Sequence, residues 1–222
     1  MSEQIKSKER VAEHGEVFTN EREVNAMLDM VESETDRIDS RFLEPACGTG
    51  NFLAEVLRRK LNSVKRQYGK LSSDYEKYSV LAVSSIYGVD IQQDNVEECR
   101  NRMFDIWDKE YRKNCKTACS DECREAVRYI LAHNILCGDA LTMLQNNGAP
   151  ITFAQWDLVM GSMLKRRDYQ LDQLMEGHEK QMSLDMCVNG RKWEYDSEID
   201  AMVPAPVREY PNTDYREVQK YG

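Results

Sequence analysis

Two glycines and two aspartates have the residue types and the spacing of a nucleotide-binding site. Gly48 and Gly50 form a Gly-x-Gly turn after a short apolar segment, and glycine lets the backbone approach a ligand that a Cβ would block. Asp90 ends a second apolar segment and could accept both hydroxyls of a ribose in a bidentate grip, or cap the next helix. Asp139 follows a third segment and could accept from an adenine amine, or also cap a helix.

Other nucleotide-binding and catalytic patterns are missing. Phe52 and Leu53 occupy the region where the dinucleotide-binding fingerprint has its third glycine. This argues against NAD and against a pyrophosphate cradle. The sequence shows no P-loop and no Ser-His-Asp pattern, and the three histidines have no nucleophile partner by spacing.

Alternating helices and strands are predicted to position these residues. Asn20 and Glu23 indicate a helix start, and apolar residues then recur at helical spacing. Helices are expected at 21–33, from 52 to about 64, at 94–112, at 120–132 and near 141–146; strands are expected at 41–45, 84–91, 134–138 and 156–160. Such alternation predicts an α/β fold with a mostly parallel, doubly wound sheet, in which ligands bind at the carboxyl ends of the strands.

The chain changes character after Gly161, where large aliphatic residues become fewer. Asn189-Gly190 between two apolar runs predicts a β-hairpin. Residues from 200 onward hold three of the five prolines and are predicted to form a loosely structured tail.

The charge balance limits how the chain could hold a nucleic acid. The formal net charge is −9, whereas proteins that bind DNA unaided usually have a basic face. DNA contact is therefore expected through a local basic cluster or through a partner protein. Lys165-Arg166-Arg167 could contact phosphates or be a solvated loop, and the basic residues at 58–66 are interpreted as the wet face of a helix. With no signal-peptide pattern and no long apolar run, the protein is expected to be cytoplasmic, without a membrane segment.

Seven cysteines are interpreted as reduced thiols. Cys115, Cys119 and Cys123 recur every four residues, as on one face of a helix. They could bind zinc with His133, but structural zinc sites favour cysteines across a turn. Buried thiols and no metal site are therefore predicted.

Five segments in order resemble the motifs of the adenine-N6 DNA methyltransferases of restriction–modification systems. The first two are Gly-Glu-Val-Phe-Thr at 15–19 and Glu-Pro-Ala-Cys-Gly-Thr-Gly-Asn-Phe-Leu at 44–53; Tyr-Gly-Val-Asp at 87–90, Gly-Asp-Ala-Leu at 138–141 and Trp-Asp-Leu-Val-Met-Gly at 156–161 follow. The resemblance implies a three-layer Rossmann-like, S-adenosylmethionine-dependent methyltransferase fold. It divides the chain into a cofactor-binding core, 1–161, and a remainder, 162–222, that departs from the family and looks truncated after the fourth strand.

The resemblance also implies a role for each matched residue. Phe18 and Thr19 would close over the methionine end of S-adenosylmethionine. The amino-acid moiety would be lined by Glu44, Ala46 and Gly48, the ribose held by Asp90, and the adenine bound by Ile91 and Asp139.

The expected catalytic loop departs from the family pattern. Relatives have Asn/Asp-Pro-Pro-Tyr after the fourth strand, which clamps a target adenine flipped out of the duplex. This chain has Ser162-Met163-Leu164-Lys165 there. Ser162 stands at the clamp position, and Tyr169 could be the displaced aromatic. Catalysis by this chain alone is therefore expected to be impaired.

Three functions remain open on these grounds. The first is a DNA adenine-N6 methyltransferase-like protein of a restriction–modification system. The second is a non-catalytic, cofactor-binding or regulatory subunit that acts through a partner. The third is a methyltransferase of RNA or protein, which the order of the motifs favours less.

Overall fold

The computed structural model describes residues 19–176, 187–188, 191–196 and 201–221. Helices and strands alternate through its first two-thirds. The helices are α1 Glu21–Asp29, α2 Glu32–Asp36, α3 Asn51–Tyr68, α4 Ser72–Ser84, α5 Gln93–Cys115, α6 Asp121–Asn134 and α7 Leu171–Glu176. The strands are β1 Phe42–Glu44, β2 Ile86–Asp90, β3 Ile135–Asp139, β4 Leu144–Gln145, β5 Thr152–Met160, β6 Met163–Gln170, β7 Cys187–Val188, β8 Arg191–Asp196, β9 Ala201–Pro204, β10 Arg208–Glu209 and β11 Thr213–Asp214.

The first three strands form a parallel sheet in the order β1-β2-β3, with the short β4 antiparallel beside β3. Glu44 lies opposite Gly88, and Asp90 lies opposite Cys137. This confirms an α/β fold whose first three strands are parallel.

Helices α3 to α6 pack together against the sheet and bury the main core. The apolar residues of α3 recur at three- and four-residue intervals, so that they share one face of the helix. Those that are fully or almost fully buried are Leu53, Val56, Leu57, Leu61 and Val64. Trp107 and Tyr111 of α5 stack on each other within the same core.

The local predictions for this region hold in part. The Asn20 side chain accepts from the Glu23 amide at 3.0 Å and begins α1, but the predicted helix 21–33 is divided into α1 and α2 by a turn at 30–31. Helix α4 was not predicted, because its core-facing positions include Glu76 and Ser79. The helical piece predicted near 141–146 is wrong, since β4 and turns lie there.

The fourth expected strand does not join the parallel sheet. Strand β5 begins beside the carboxyl end of β3, where a Cβ on Gly138 would lie 3.0 Å from Ile151 Cδ1. It then crosses the sheet toward the amino ends, where Asp157 pairs with Arg41 at 3.4 Å and Trp156 donates to Asn134. Strand β5 thus runs opposite to β1–β3, and its Ala154 carbonyl accepts from the Tyr87 hydroxyl of β2 at 3.1 Å.

A hairpin explains this direction. Gly161, with φ +61°, and Ser162 form a tight turn from which β6 returns antiparallel along the whole of β5. In β6 the buried residues Leu164, Arg166 and Asp168 alternate with less buried ones, as in a strand with one covered face. The sequence predicts a mostly parallel sheet whose fourth strand leads into a loop. The structure corrects this prediction, because the fourth strand, β5, does not join the parallel sheet and turns directly into β6.

The C-terminal segment is more ordered than predicted. Strands β10 and β11 pair with β6, and Tyr215 and Val218 are buried. The loosely structured tail is thus wrong for residues 208–221. Strands β7 and β8 pair antiparallel across the predicted hairpin turn, whose residues 189–190 lie outside the described residues.

None of the helices in the described part of the chain combines the length and apolar character that a membrane crossing needs.

Candidate functional site

The carboxyl edge of the parallel sheet brings together the acids that the sequence singled out. Glu44, Asp90 and Asp139 are the last residues of β1, β2 and β3. The loop after β1 contains Gly48 and leads into α3. Because parallel strands end at the same edge, these groups line one rim of the sheet.

Gly48 and Asp90 are in direct contact. The Gly48 amide donates to Asp90 Oδ2 at 2.9 Å, and the Cys47 amide donates to the Val89 carbonyl at 2.9 Å. The loop after β1 is therefore held against the end of β2. Asp90 is 8% exposed, so this carboxylate sits within the rim rather than on the open surface.

Glycine is required where the loop turns into α3. Gly50 has φ +84° and is the N-cap residue of the helix. A Cβ placed there would lie 2.6 Å from Cys99 Sγ on α5. The turn therefore depends on glycine for its backbone angle and for the approach of α5.

Apolar and acidic groups complete the rim. Ile91 is 50% exposed directly after Asp90, and Ala46 is exposed beside Gly48. Glu44 is half-buried, and removal from water raises the pKa of its carboxyl. Asp139 is partly exposed, and its Oδ1 accepts from the Leu141 amide at 2.8 Å, so it caps the following turn.

The N-terminal residues of the implied site are only partly described. Thr19 is exposed, and its carbonyl accepts from Asn51 Nδ2 at 3.2 Å at the start of α3. Thr19 is thus placed next to the glycine turn. Phe18 lies outside the described residues.

The two residues assigned to catalysis do not join this rim. Ser162 lies in the β5–β6 turn beyond Asp157 and Arg41, toward the amino edge of the sheet, and its Oγ donates to Asp214 at 2.6 Å. Tyr169 lies opposite Phe153 at the other end of the hairpin. Tyr169 lies seven positions after Ser162 along an extended strand, a distance of about 23 Å. The structure therefore brings neither Ser162 to Asp90 nor Tyr169 to Ser162.

The basic cluster 165–167 is neither a solvated loop nor an open phosphate site. It lies in β6, and each cation pairs with a carboxylate. The pairs are Lys165 with Glu209 at 2.7 Å, Arg166 with Asp168 at 2.7 Å, and Arg167 with Asp157 at 3.0 Å and Glu209 at 3.3 Å. These contacts neutralise most of the positive charge of the cluster.

The cysteine prediction needs a correction. Cys115 ends α5 and Cys123 lies in α6, with a 3-10 turn at 116–118 between the two helices, so the three cysteines do not share one helix face. Cys115 and Cys123 are buried and Cys119 is partly exposed. Burial raises the pKa of the Cys115 thiol to about 12.

Sequence reasoning missed two polar residues. Asn95 is buried, and its Nδ2 donates to Asp90 Oδ1 at 3.2 Å. Lys60 was interpreted as part of a wet face, but it is fully buried. Its Nζ donates to the carbonyls of Arg37, Ile38 and Ser40 at 2.6–3.0 Å. Lys60 lies between Leu57 and Leu61 in the apolar repeat of α3. This place in the sequence is the signal that could have indicated its burial.

Part of the chain is similar to a known protein. No protein-family model matches the chain, and no solved structure matches it. One curated relative, from Methanocaldococcus jannaschii, is named as a type II restriction enzyme and methyltransferase. It is 33% identical over 95 residues, which are 41% of this chain and only 8% of the relative. The chain is thus similar, over a short part, to a restriction–modification methyltransferase.

Proposed function

We propose that this chain binds S-adenosylmethionine at the carboxyl edge of its parallel sheet, as a DNA adenine-N6 methyltransferase-like component of a restriction–modification system. We further propose that it does not transfer methyl groups on its own. The hydrogen bond from the Gly48 amide to Asp90 Oδ2 carries the proposal, because it joins the glycine turn to the acid that the cofactor's ribose needs.

The other groups at the rim fit the chemistry of the cofactor. Ile91 exposes an apolar surface on which a purine ring can pack. Asp139 is partly exposed and retains acceptor capacity for an amine. The half-buried Glu44 carboxylate suits the cationic amino group of the methionine end. When bound, the cofactor would supply an electrophilic methyl group on its sulfonium.

The position of Ser162 supports the second part of the proposal. Methyl transfer requires the clamp and the cofactor to face one another, and a misplacement of about 1 Å already costs about a hundredfold in rate. Ser162 lies toward the opposite edge of the sheet and is bonded to Asp214. The described rim therefore has groups that suit the cofactor, and the clamp position lies away from them.

A partner protein would supply the contact with DNA. The net charge of −9 and the ion pairs of the 165–167 cluster give little attraction for phosphates. This favours a component that acts within an assembly over a free-standing DNA-binding enzyme.

Calorimetric titration of S-adenosylmethionine tests the first part. Micromolar binding is expected for the wild type, with a loss of tenfold or more in Asp90→Asn and no change in Asp105→Ala, an exposed aspartate on α5. Thermal unfolding of each variant shows whether it folds. No binding to folded wild-type protein would refute the cofactor site.

Transfer of a labelled methyl group to duplex DNA tests the second part. We expect no incorporation by the chain alone at concentrations where the cofactor binds. Incorporation at adenine N6 by the isolated chain would refute the claim that it is inactive on its own.

A further inference from the structure

The surroundings of Asp90 limit how it can hold a ribose. A carboxylate offers about four acceptor positions on its two oxygens. Asp90 Oδ1 accepts from the Gln92 amide at 2.9 Å and from Asn95 Nδ2 at 3.2 Å. Oδ2 accepts from the Gly48 amide at 2.9 Å. Among the described residues, three positions are thus occupied, and about one, on Oδ2, is left.

Each of these internal donors is fixed in place. Gln92 is the N-cap residue of α5, so its amide is held by the helix start. Gly48 is held because the neighbouring Cys47 amide bonds the Val89 carbonyl. Asn95 is 1% exposed on the first turns of α5, so its amide has little room to move away. A ligand would have to displace a backbone bond or the Asn95 amide to free a second acceptor.

From this geometry we infer that Asp90 accepts a single ribose hydroxyl, and that Asn95 is the positioning residue that saturates Oδ1 and directs the free acceptor on Oδ2 toward the ligand. This inference rests on the proposed cofactor site, and it replaces the bidentate grip expected from the sequence.

The consequence is a measurable asymmetry between the two hydroxyls of the ligand. A hydroxyl that donates to a buried carboxylate contributes a charge-assisted hydrogen bond, whereas a hydroxyl left to water contributes little. Removing one hydroxyl should therefore weaken binding strongly, and removing the other should hardly matter.

Three ligands measure this asymmetry by calorimetry: S-adenosylhomocysteine and its 2′-deoxy and 3′-deoxy forms. We expect one deoxy form to bind at least tenfold more weakly than the parent and the other to bind within twofold of it. Equal losses for both forms, or no loss for either, would overturn the inference while leaving the cofactor site in place. No binding of S-adenosylhomocysteine itself would overturn both.

The Asn95→Ala variant tests the positioning role. Removing the amide frees a second acceptor, on Oδ1, so the hydroxyl that contributes little in the wild type should begin to contribute to binding. The ratio between the affinities of the two deoxy forms should therefore shrink severalfold. A residue with a merely structural role would change all three affinities by the same factor. Asn101→Ala, an exposed asparagine on the same helix, is the control and should keep the wild-type ratio. An unchanged ratio in folded Asn95→Ala would contradict the role, and Asn95→Ser serves the same test if the alanine variant fails to fold.

Discussion

Glu76 and Arg216 lie 140 residues apart in the sequence, and Arg216 Nε donates to Glu76 Oε1 at 2.6 Å. The Tyr215 hydroxyl donates to the same oxygen at 2.6 Å, and the Tyr111 hydroxyl donates to Oε2. Glu76 is buried in α4. One carboxylate therefore fastens the C-terminal segment to the helical layer that supports the parallel sheet.

Removing this carboxylate should destabilise the fold. Glu76→Ala leaves the two tyrosine hydroxyls and the Arg216 guanidinium without their acceptor. Breaking a buried pair by removal of one partner costs about 3 to 5 kcal/mol, and Arg216, which is 40% exposed, recovers part of this through water. We expect a loss of about 2 to 4 kcal/mol in the free energy of urea unfolding. Glu125→Ala, at an exposed position on α6, is the control, and an equal effect of both changes would contradict the prediction.

The buried lysine predicts a pH dependence of stability. Three carbonyls match the three N–H donors of the Lys60 ammonium, but removal from water lowers its pKa to about 7. In the unfolded chain the pKa returns to about 10.4. Between these values the unfolded state binds more protons than the folded state, so the contribution of Lys60 to stability rises with pH from about 7 to about 10 and is lost as the pH falls.

Urea unfolding between pH 6 and pH 10 measures this contribution. The free energy of unfolding of the wild type should rise with pH relative to that of Lys60→Met. Lys65→Met, exposed on the same helix, should run parallel to the wild type. If the free energy of unfolding of Lys60→Met runs parallel to that of the wild type across this pH range, the pKa of Lys60 does not change on folding.

Introducing the Asn-Pro-Pro-Tyr motif of the methyltransferases that the sequence resembles should not produce catalysis. The substitutions Ser162→Asn, Met163→Pro, Leu164→Pro and Lys165→Tyr place two prolines at the start of β6, where Met163 and Leu164 pair with both β5 and β11. Proline has no N–H to donate in such a ladder. We expect a lower melting temperature and no methylation of adenine. A gain of methylation, read with labelled cofactor and duplex DNA, would show that the working protein does not use this hairpin.

The glycine turn predicts different costs for two similar substitutions. Gly50 and Gly148 both have positive φ, +84° and +81°, but a Cβ at Gly148 meets nothing within 4 Å, whereas one at Gly50 meets Cys99 Sγ. Gly148→Ala should cost about 1 kcal/mol from backbone strain. Gly50→Ala should cost about 1 to 3 kcal/mol more from overpacking and should weaken cofactor binding. Chemical denaturation of both variants separates the two effects, and equal costs would exclude the clash.

The local features of the candidate site could be predicted from the sequence. The Gly-x-Gly turn at 48–50 and the acids at 90 and 139 follow apolar strands, and parallel strands bring such residues to one edge. The burial of Glu76 could not be predicted in this way, because a charged residue in a helix is usually solvated and its buried partners come from distant segments. Lys60 lies in the apolar stripe of α3, which indicates a buried position, but the carbonyls that hold it could not be predicted. Helix α4 could not be predicted from apolar periodicity, because its buried positions include the polar residues Glu76 and Ser79.

The sequence by itself determined what depends on neighbouring residues: the helix start at Asn20, the glycine turn before α3, and the acid at the end of each parallel strand. Only the tertiary structure decided the direction of β5, because residues 156–161 are compatible with a strand running either way across the sheet. Packing against Asn134 and Arg41, together with the two-residue turn into β6, selects one direction. The tertiary structure also decided that three internal donors bond to the Asp90 carboxylate, since Gly48 and Asn95 reach it from separate parts of the chain.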